Sequence, residues 1–413
     1  MFSRNFFSTL NLYSNMGAEA SPGTPRELAN EMLDRLPQNI WSDPTKTFLE
    51  PCFSNGMFYF LMIERLFGGL ASVIPDPKAR IDHILTKQVW AYEMNKVPYS
   101  FVKKMLEKQF GIGTVNKIKP NIYCSNIIEK ELNMKFDVVV MNPPYQIKVG
   151  PKKTEPIWHK FVMNMMEEGL NDEGYLFSIH PTGWRAPVGR FSKVKDLYQR
   201  YNTIYLSMNS FDKGKSTFGV GTAYDVVLTQ KVCSSDNITE VVSDSVDEHN
   251  NLNLSGMSFI PDGLFEEFSE LVAKDEEEKA NVLYSRSAYG SDKSNTSHDK
   301  VDNFVFPCIY TIPSSGIPRM MYSNTNNNGH FGISKVIWSN GAATVPIIDD
   351  KGEFGITQFS YAICDEPQNL PKIKKALESE RFLALMKKVS FTAHKYNYKV
   401  ISCFKKDWWK SFQ

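Results

Sequence analysis

Between residues 46 and 230, short apolar runs alternate with stretches whose apolar residues recur at helical spacing. Short runs rich in β-branched and aromatic residues read as strands, and recurrences at i, i+3 and i+4 read as helices. The pattern predicts strands over 46–50, 89–93, 121–124, 136–141, 175–179, 203–208 and 224–230. Helices are expected through Phe58, Leu61, Met62, Arg65 and Leu66, from near Val97, and over 157–170. Such alternation builds a mostly parallel sheet. The connection between the last two strands is too short for a crossover helix, so that pair should be antiparallel. Upstream, residues 21–28 read as a turn entering a helix, with Thr24 as the cap, Pro25 at the first position and Glu27 as the capping side chain.

After Cys233 the texture changes. Residues 234–255 are rich in Ser, Asp and Asn and read as a polar hairpin or linker. A short helix with the acidic run 275–278, a polar loop near 291–298, Gly/Asn-rich β-branched segments over 324–357 and a basic helix over 371–388 follow. The expected division is an N-terminal arm over 1–18, an α/β domain over 19–235 and an irregular α+β domain over 236–413.

Composition acts mainly by exclusion. Of the 413 residues, 42% are hydrophobic, enough for ordinary globular cores. No apolar stretch approaches the roughly 20 residues that span a bilayer. The formal net charge of +1 advertises no global field for nucleic acid, so any such binding must rest on local basic patches. The six cysteines lack C-x-x-C or paired Cys/His spacing, which argues against a zinc site and for reduced, intracellular thiols. Residues 1–15 carry Arg4, no acids and three phenylalanines. They read as an organellar targeting peptide, a disordered arm, or coding upstream of a second start at Met16.

The tetrapeptide Asn142-Pro143-Pro144-Tyr145, directly after the apolar run 138–141, carries the most chemistry. A buried strand ending this way sets an amide oxygen, a stiffened carbonyl and a flat ring at its carboxyl end, where open α/β sheets bind ligands. A planar amine can hydrogen-bond to Asn142 and the Pro143 carbonyl while its ring stacks on Tyr145. The plain alternative is a proline-stiffened turn after a core strand.

This tetrapeptide resembles the motif of amino-group methyltransferases. The order of a Thr-Pro helix, an acidic-Pro loop, the Asn-Pro-Pro-Tyr strand and a trailing domain resembles the DNA adenine-N6 methyltransferases of the gamma motif order, over roughly residues 17–232. The resemblance implies a Rossmann-like class I sheet, mostly parallel with its last strand antiparallel, and a C-terminal α+β target-recognition domain. It implies S-adenosylmethionine as cofactor and no metal. Glu50, with Pro51 beside it, would hold the ammonium of the methionine part, and Gly56 would let the backbone come close. Glu93 would take the ribose hydroxyls, and Asn126 the adenine amine, where the family usually has aspartate. Thr24 and Pro25 would approach the methionine carboxylate, Asn142 would face both ligands, and Phe218 (or Phe211) would sandwich the target base against Tyr145. Phe53 and Ser54 depart from the family, which usually has small residues or glycine there.

Double-stranded DNA is the implied partner, and a restriction endonuclease, if one belongs to the system, is expected on another chain. No membrane partner is expected, and the implied location is the cytoplasm of a cell or of a phage-infected host. Candidate phosphate contacts are Lys148, Lys152, Lys153, Arg185, Arg190, Lys193, Lys195, Lys213 and Lys215. Near the end, Lys387, Lys388, Lys395, Lys399, Lys405 and Lys406 interleave with Phe391, Tyr396, Tyr398, Trp408 and Trp409. Two other readings stay open: a methyltransferase of RNA amines or of a protein glutamine, and a decayed DNA-recognition subunit motivated by Ser54 and Asn126.

Overall fold

A computed structural model of the chain describes residues 6–7, 9–10, 23–110, 120–151, 153–246, 248–284, 294–339, 345–391 and 397–413. The chain forms two compact units, Met1–Thr182 with Lys193–Gly256, and Gly183–Ser192 with Met257–Gln413. Among the described residues no helix is long and apolar enough to cross a membrane.

The first unit is built on β1 (Phe48–Glu50), β2 (Val89–Glu93), β3 (Asn121–Cys124), β4 (Phe136–Met141), a separate hairpin of β5 (Gln146–Gly150) and β6 (Lys153–Pro156), β7 (Leu170–Pro181), β8 (Tyr201–Asn209), β9 (Tyr224–Cys233), β10 (Thr239–Ser243) and β11 (Glu248–Leu252). Apart from the hairpin these strands form one sheet in the order β11-β10-β8-β9-β7-β4-β1-β2-β3. β1 pairs in parallel with both β2 and β4, so the chain order reverses between β1 and β4. The crevice at such a reversal is where ligands bind in open α/β sheets. Residues 138–141 are fully buried, as expected for a central parallel strand covered on both faces. β9 runs antiparallel between β7 and β8, as the short connection required.

Three sequence expectations need correction here. The polar stretch after residue 233 takes the hairpin form of the two expected, β11 folding back antiparallel on β10, but it belongs to the main sheet, where β10 pairs in parallel with β8. Thr239, Val241 and Ser243 are buried at alternate positions, so a period of two was present beneath the polar composition. The first unit therefore runs to Gly256 rather than 235. The expected arm is not all peripheral either. Phe6, Phe7 and Leu10 lie in the core, with the Phe6 ring edge-on to Phe60 at 4.8 Å. The rest of the arm lies outside the described residues. Finally, α1 (Arg26–Asp34) has Pro25, not Thr24, at its cap position and no side-chain cap bond, and the Thr24 hydroxyl accepts from Asn142 instead. α2 (Met57–Gly69) follows the loop after β1.

The second unit holds two four-stranded sheets. The first has the order β12 (Asn281–Tyr284), β19 (Ser360–Cys364), β16 (Lys335–Ser339), β17 (Ile347–Asp349); the second has β13 (Thr296–Ser297), β15 (Arg319–Ser323), β14 (Phe306–Thr311), β18 (Gly355–Ile356). The basic helix expected over 371–388 is two helices, Leu370–Glu378 and Glu380–Lys387, divided at Ser379, whose hydroxyl accepts from the Phe382 N–H at 3.2 Å. Phe391, Tyr398, Trp408 and Trp409 are core residues of this unit rather than an exposed stacking surface. Lys335 and Asp349, on paired strands, meet at 2.7 Å with both side chains essentially sealed from water. Asp349 also accepts from the Glu353 and Phe354 amides at 2.7 and 3.0 Å. Breaking a buried pair on one side strands a charge, so Lys335→Ala should cost about 3–5 kcal/mol. Chemical denaturation with unit-specific tryptophan fluorescence measures it, and an unchanged midpoint would contradict a structural role for the pair.

Candidate active site

β1 and β2 end side by side in Glu50 and Glu93, which are 3% and 7% exposed. The Glu93 carboxylate accepts from the backbone N–H of Ser54 at 2.9 Å and of Asn95 at 2.8 Å, tying the loop after β1 to the end of β2. In that loop Ser54 takes a left-handed φ of 48° and Gly56 one of 80°. A Cβ on Gly56 would stand 3.0 Å from Val102 Cγ2 and 3.1 Å from the Phe60 ring. Glycine is therefore demanded by the turn and by its own packing. Burial pushes the Glu50 carboxyl well above its ordinary range; Glu93's charge adds to this, and the Tyr59 N–H in the first turn of α2 opposes it. Glu50 Oε2 is buried with no hydrogen-bond partner among the described residues. Burial also lifts Glu93, against the Asn95, Ser54 and Met94 amides. A buried carboxyl without a partner is costly, and a cation at this point would relieve it.

Cys52 joins this acid side to the tetrapeptide. Burial raises its thiol, Glu50 and Glu93 raise it further, and the Asn142 backbone N–H opposes them. The loops leaving β1 and β4 thus touch at the reversal of the sheet. The Asn142 side chain donates from Nδ2 to Thr24 Oγ1 at 3.2 Å. Thr24 stands one residue before the cap position of α1, and its bond to Nδ2 leaves Oδ1 as the other end of the amide. Neither Asn142 Oδ1 nor the Pro143 carbonyl accepts a bond among the described residues. Tyr145 is half-buried. Its hydroxyl is buried without a hydrogen-bond partner among the described residues, and burial, then Tyr224 and Asp225, raise it far above the usual range. Cys52, Tyr224 and Asp225 were not anticipated, although Asp225 is a lone charge in the apolar run 224–228.

Other candidates are placed differently. Phe218 ends the helix Phe211–Phe218 and is only 9% exposed, its ring edge-on to Tyr224 at 4.9 Å within the core. As it stands, Phe218 packs the fold and does not offer a free face. Asn126 follows β3, half-buried, and makes no side-chain cap bond to the turn Ile127–Glu129. Thr24 and Pro51 are buried and Pro25 is half-buried. Among the proposed phosphate contacts, Arg185 and Lys195 are buried, at 4% and 6% exposure, and cannot serve as they lie. Lys405 and Lys406 pair with Glu277 and Glu278 of the acidic run. Lys148 and Lys153 are exposed on the β5–β6 hairpin. Lys152, Lys395 and Tyr396 lie outside the described residues.

Residues 75–206 match the family described as Eco57I restriction-modification methylase. The chain is 25% identical over 291 residues to an uncharacterised adenine-specific methylase of Mycoplasma pneumoniae, an alignment covering 51% of this chain and 68% of that protein. Among solved structures it resembles the DrdV–DNA complex, with a TM-score of 0.52 at 12% identity over 87% of this chain and 51% of that one. It also resembles the ATP-dependent Type ISP restriction-modification enzyme LlaBIII bound to DNA, with a TM-score of 0.50 at 11% identity over 85% of this chain and 34% of that one. The chain thus spans about half of DrdV and a third of LlaBIII.

Ser54 supplies a test of the loop geometry. A left-handed φ costs a non-glycine residue roughly 1–2 kcal/mol, so Ser54→Gly should stabilise the protein by about 1 kcal/mol while keeping the N–H that Glu93 accepts. A melting temperature that falls would contradict this backbone conformation.

Proposed function

We propose that this methyltransferase of the restriction-modification type transfers a methyl group to the exocyclic N6 amine of an adenine extruded from double-stranded DNA. The observation that carries the reading is the pair of unengaged acceptors, Asn142 Oδ1 and the Pro143 carbonyl, set beside the half-buried Tyr145 ring. An N6 amine has two N–H donors in one plane, and two acceptors on adjacent residues match them. Accepting both protons concentrates charge on the nitrogen, offsets the positive charge developing there, and turns the lone pair out of the ring's conjugation. Fixing the amide through Thr24 means it need not reorganise as the reaction proceeds. Tyr145 supplies the stacking face, worth roughly 1–3 kcal/mol per base. That is comparable with the few kcal/mol that extruding a paired base costs.

The residues on the acid side fit S-adenosylmethionine, which when bound supplies an electrophilic methyl group. Glu50, with Pro51 and the turn at Gly56, would hold the ammonium; Glu93 would offer ribose hydroxyls the lone pairs that its loop amides leave. Asn126 would accept from the cofactor's adenine amine, and Thr24 and Pro25 would meet its carboxylate. The second unit, with residues 257–413, reads the DNA sequence. Two structural relatives covering most of this chain are DNA complexes, which supports duplex DNA over RNA or protein. The unpartnered Glu50 oxygen favours an enzyme over a decayed recognition subunit.

A tritiated-methyl assay across duplex DNA, RNA and protein tests the reading. Label is expected in duplex DNA; label confined to RNA or protein would reject it. Asn142→Ala should lower kcat by about 10²–10³, the usual loss for one preorganised hydrogen-bonding group, while cofactor affinity changes little. Near-normal turnover would refute the assignment. Glu50 must be ionised to pair with an ammonium, and its pKa is raised in the free protein. Cofactor binding should therefore release a proton and strengthen as pH rises through that raised value. Calorimetry in two buffers of different ionisation enthalpy measures the release, and Glu50→Gln should abolish it.

A further inference from the structure

We infer that the β5–β6 hairpin is a wedge that enters the duplex at the target base pair, an inference that rests on the DNA-adenine reading above. The hairpin starts at Gln146, immediately after Tyr145, and its base is closed by the Ile157 N–H donating to the Tyr145 carbonyl at 3.1 Å. Among the described residues its strands pair only with each other, Ile147 opposite Glu155 and Lys148 opposite Thr154. Whatever the hairpin binds is therefore mechanically joined to the tetrapeptide.

Its side chains say what that partner is. Ile147 and Val149 are 38% and 48% exposed. Ile147 stands opposite Glu155, and Val149 sits at the bulge where the register shifts between Lys148 and Gly150, so both are presented on the exposed ribbon next to Lys148. A free ribbon that bares two β-branched side chains has left them for something outside the fold. The segment 146–156 contains Lys148, Lys152 and Lys153 against Glu155 alone, a formal charge of +2. Lys153 is held by Glu155 at 2.8 Å, so of the two described lysines of the hairpin Lys148 is the one placed for a phosphate. A two-stranded ribbon fits the major groove, and five residues at about 3.4 Å each reach roughly 17 Å, ample to arrive at the stacked bases. Apolar side chains inserted between base steps are a general means of holding DNA open. Ile147 and Val149 then occupy the space that the extruded adenine leaves, while Lys148 anchors the flanking backbone.

The test compares two duplexes carrying the methylated site: one fully paired, the other with the target adenine opposite an abasic position, which needs no wedge. Ile147→Ser/Val149→Ser should lower kcat/KM by about tenfold or more on the paired duplex and by less than about threefold on the abasic one, because extrusion from the latter is already cheap. Lys148→Gln should weaken both alike and reduce the salt dependence by about one counterion. Equal losses on the two duplexes for the apolar double variant, or no loss at all, would overturn the wedge. Cofactor binding by calorimetry confirms that each variant is folded. Should the serine variant fail that check, Ile147→Thr/Val149→Thr, which keeps the branched shape, faces the same comparison. Wild-type protein that methylates neither duplex would overturn the adenine reading, and the wedge with it.

Discussion

Two carboxyl groups sealed at the ends of neighbouring parallel strands set the terms for this fold. Glu50 and Glu93 are brought near each other because β1 and β2 pair in parallel, with Glu50 opposite Ala91, and the chain order reverses between β1 and β4, where the loops that follow them touch. Glu93 is satisfied by loop amides and so shapes the loop. Glu50 keeps one oxygen without a partner among the described residues. Burying such a group is expensive unless a ligand completes it. The fold therefore carries a deficit that a cationic group at this point would remove.

The tetrapeptide is coupled to that deficit through short contacts. The Asn142 amide N–H acts on Cys52 in the β1 loop, and the Asn142 side chain is held by Thr24 at the entrance to α1. Two segments far from it in sequence thereby fix one asparagine. The hairpin leaves from the other end of the same tetrapeptide, so one stretch of about fifteen residues would hold the base and open the helix it comes from.

Much of this was legible in the sequence because buried parallel strands are continuous apolar runs. The expected limits of β2, β3 and β4 coincide with the observed ones, and Glu50, Glu93 and Asn142 stand at strand ends as read. The failures share a cause: local pattern cannot see tertiary partners. Thr24 looks like a helix cap, yet Pro25 takes that position and the Thr24 hydroxyl accepts from Asn142. Lysines and aromatics at the chain's end look like a nucleic-acid surface, yet Phe391, Tyr398, Trp408 and Trp409 make a core, and acidic residues 277 and 278 take two of the lysines. The place of β10 in the main sheet was hidden because Thr and Ser fill two of its three buried positions, where Thr239 donates to the Thr203 carbonyl at 2.7 Å. The β5–β6 hairpin buries little, so its sequence carries no core signature at all.

The central claim is that the free acceptors at Asn142 and Pro143 grip the exocyclic amine of an extruded purine beside a methyl donor. Sequencing of modified bases in DNA from a methylation-deficient host that expresses this chain tests it most directly. The account predicts N6-methyladenine at one recurring sequence. Unmodified DNA in cells that contain the folded, cofactor-binding protein would contradict it.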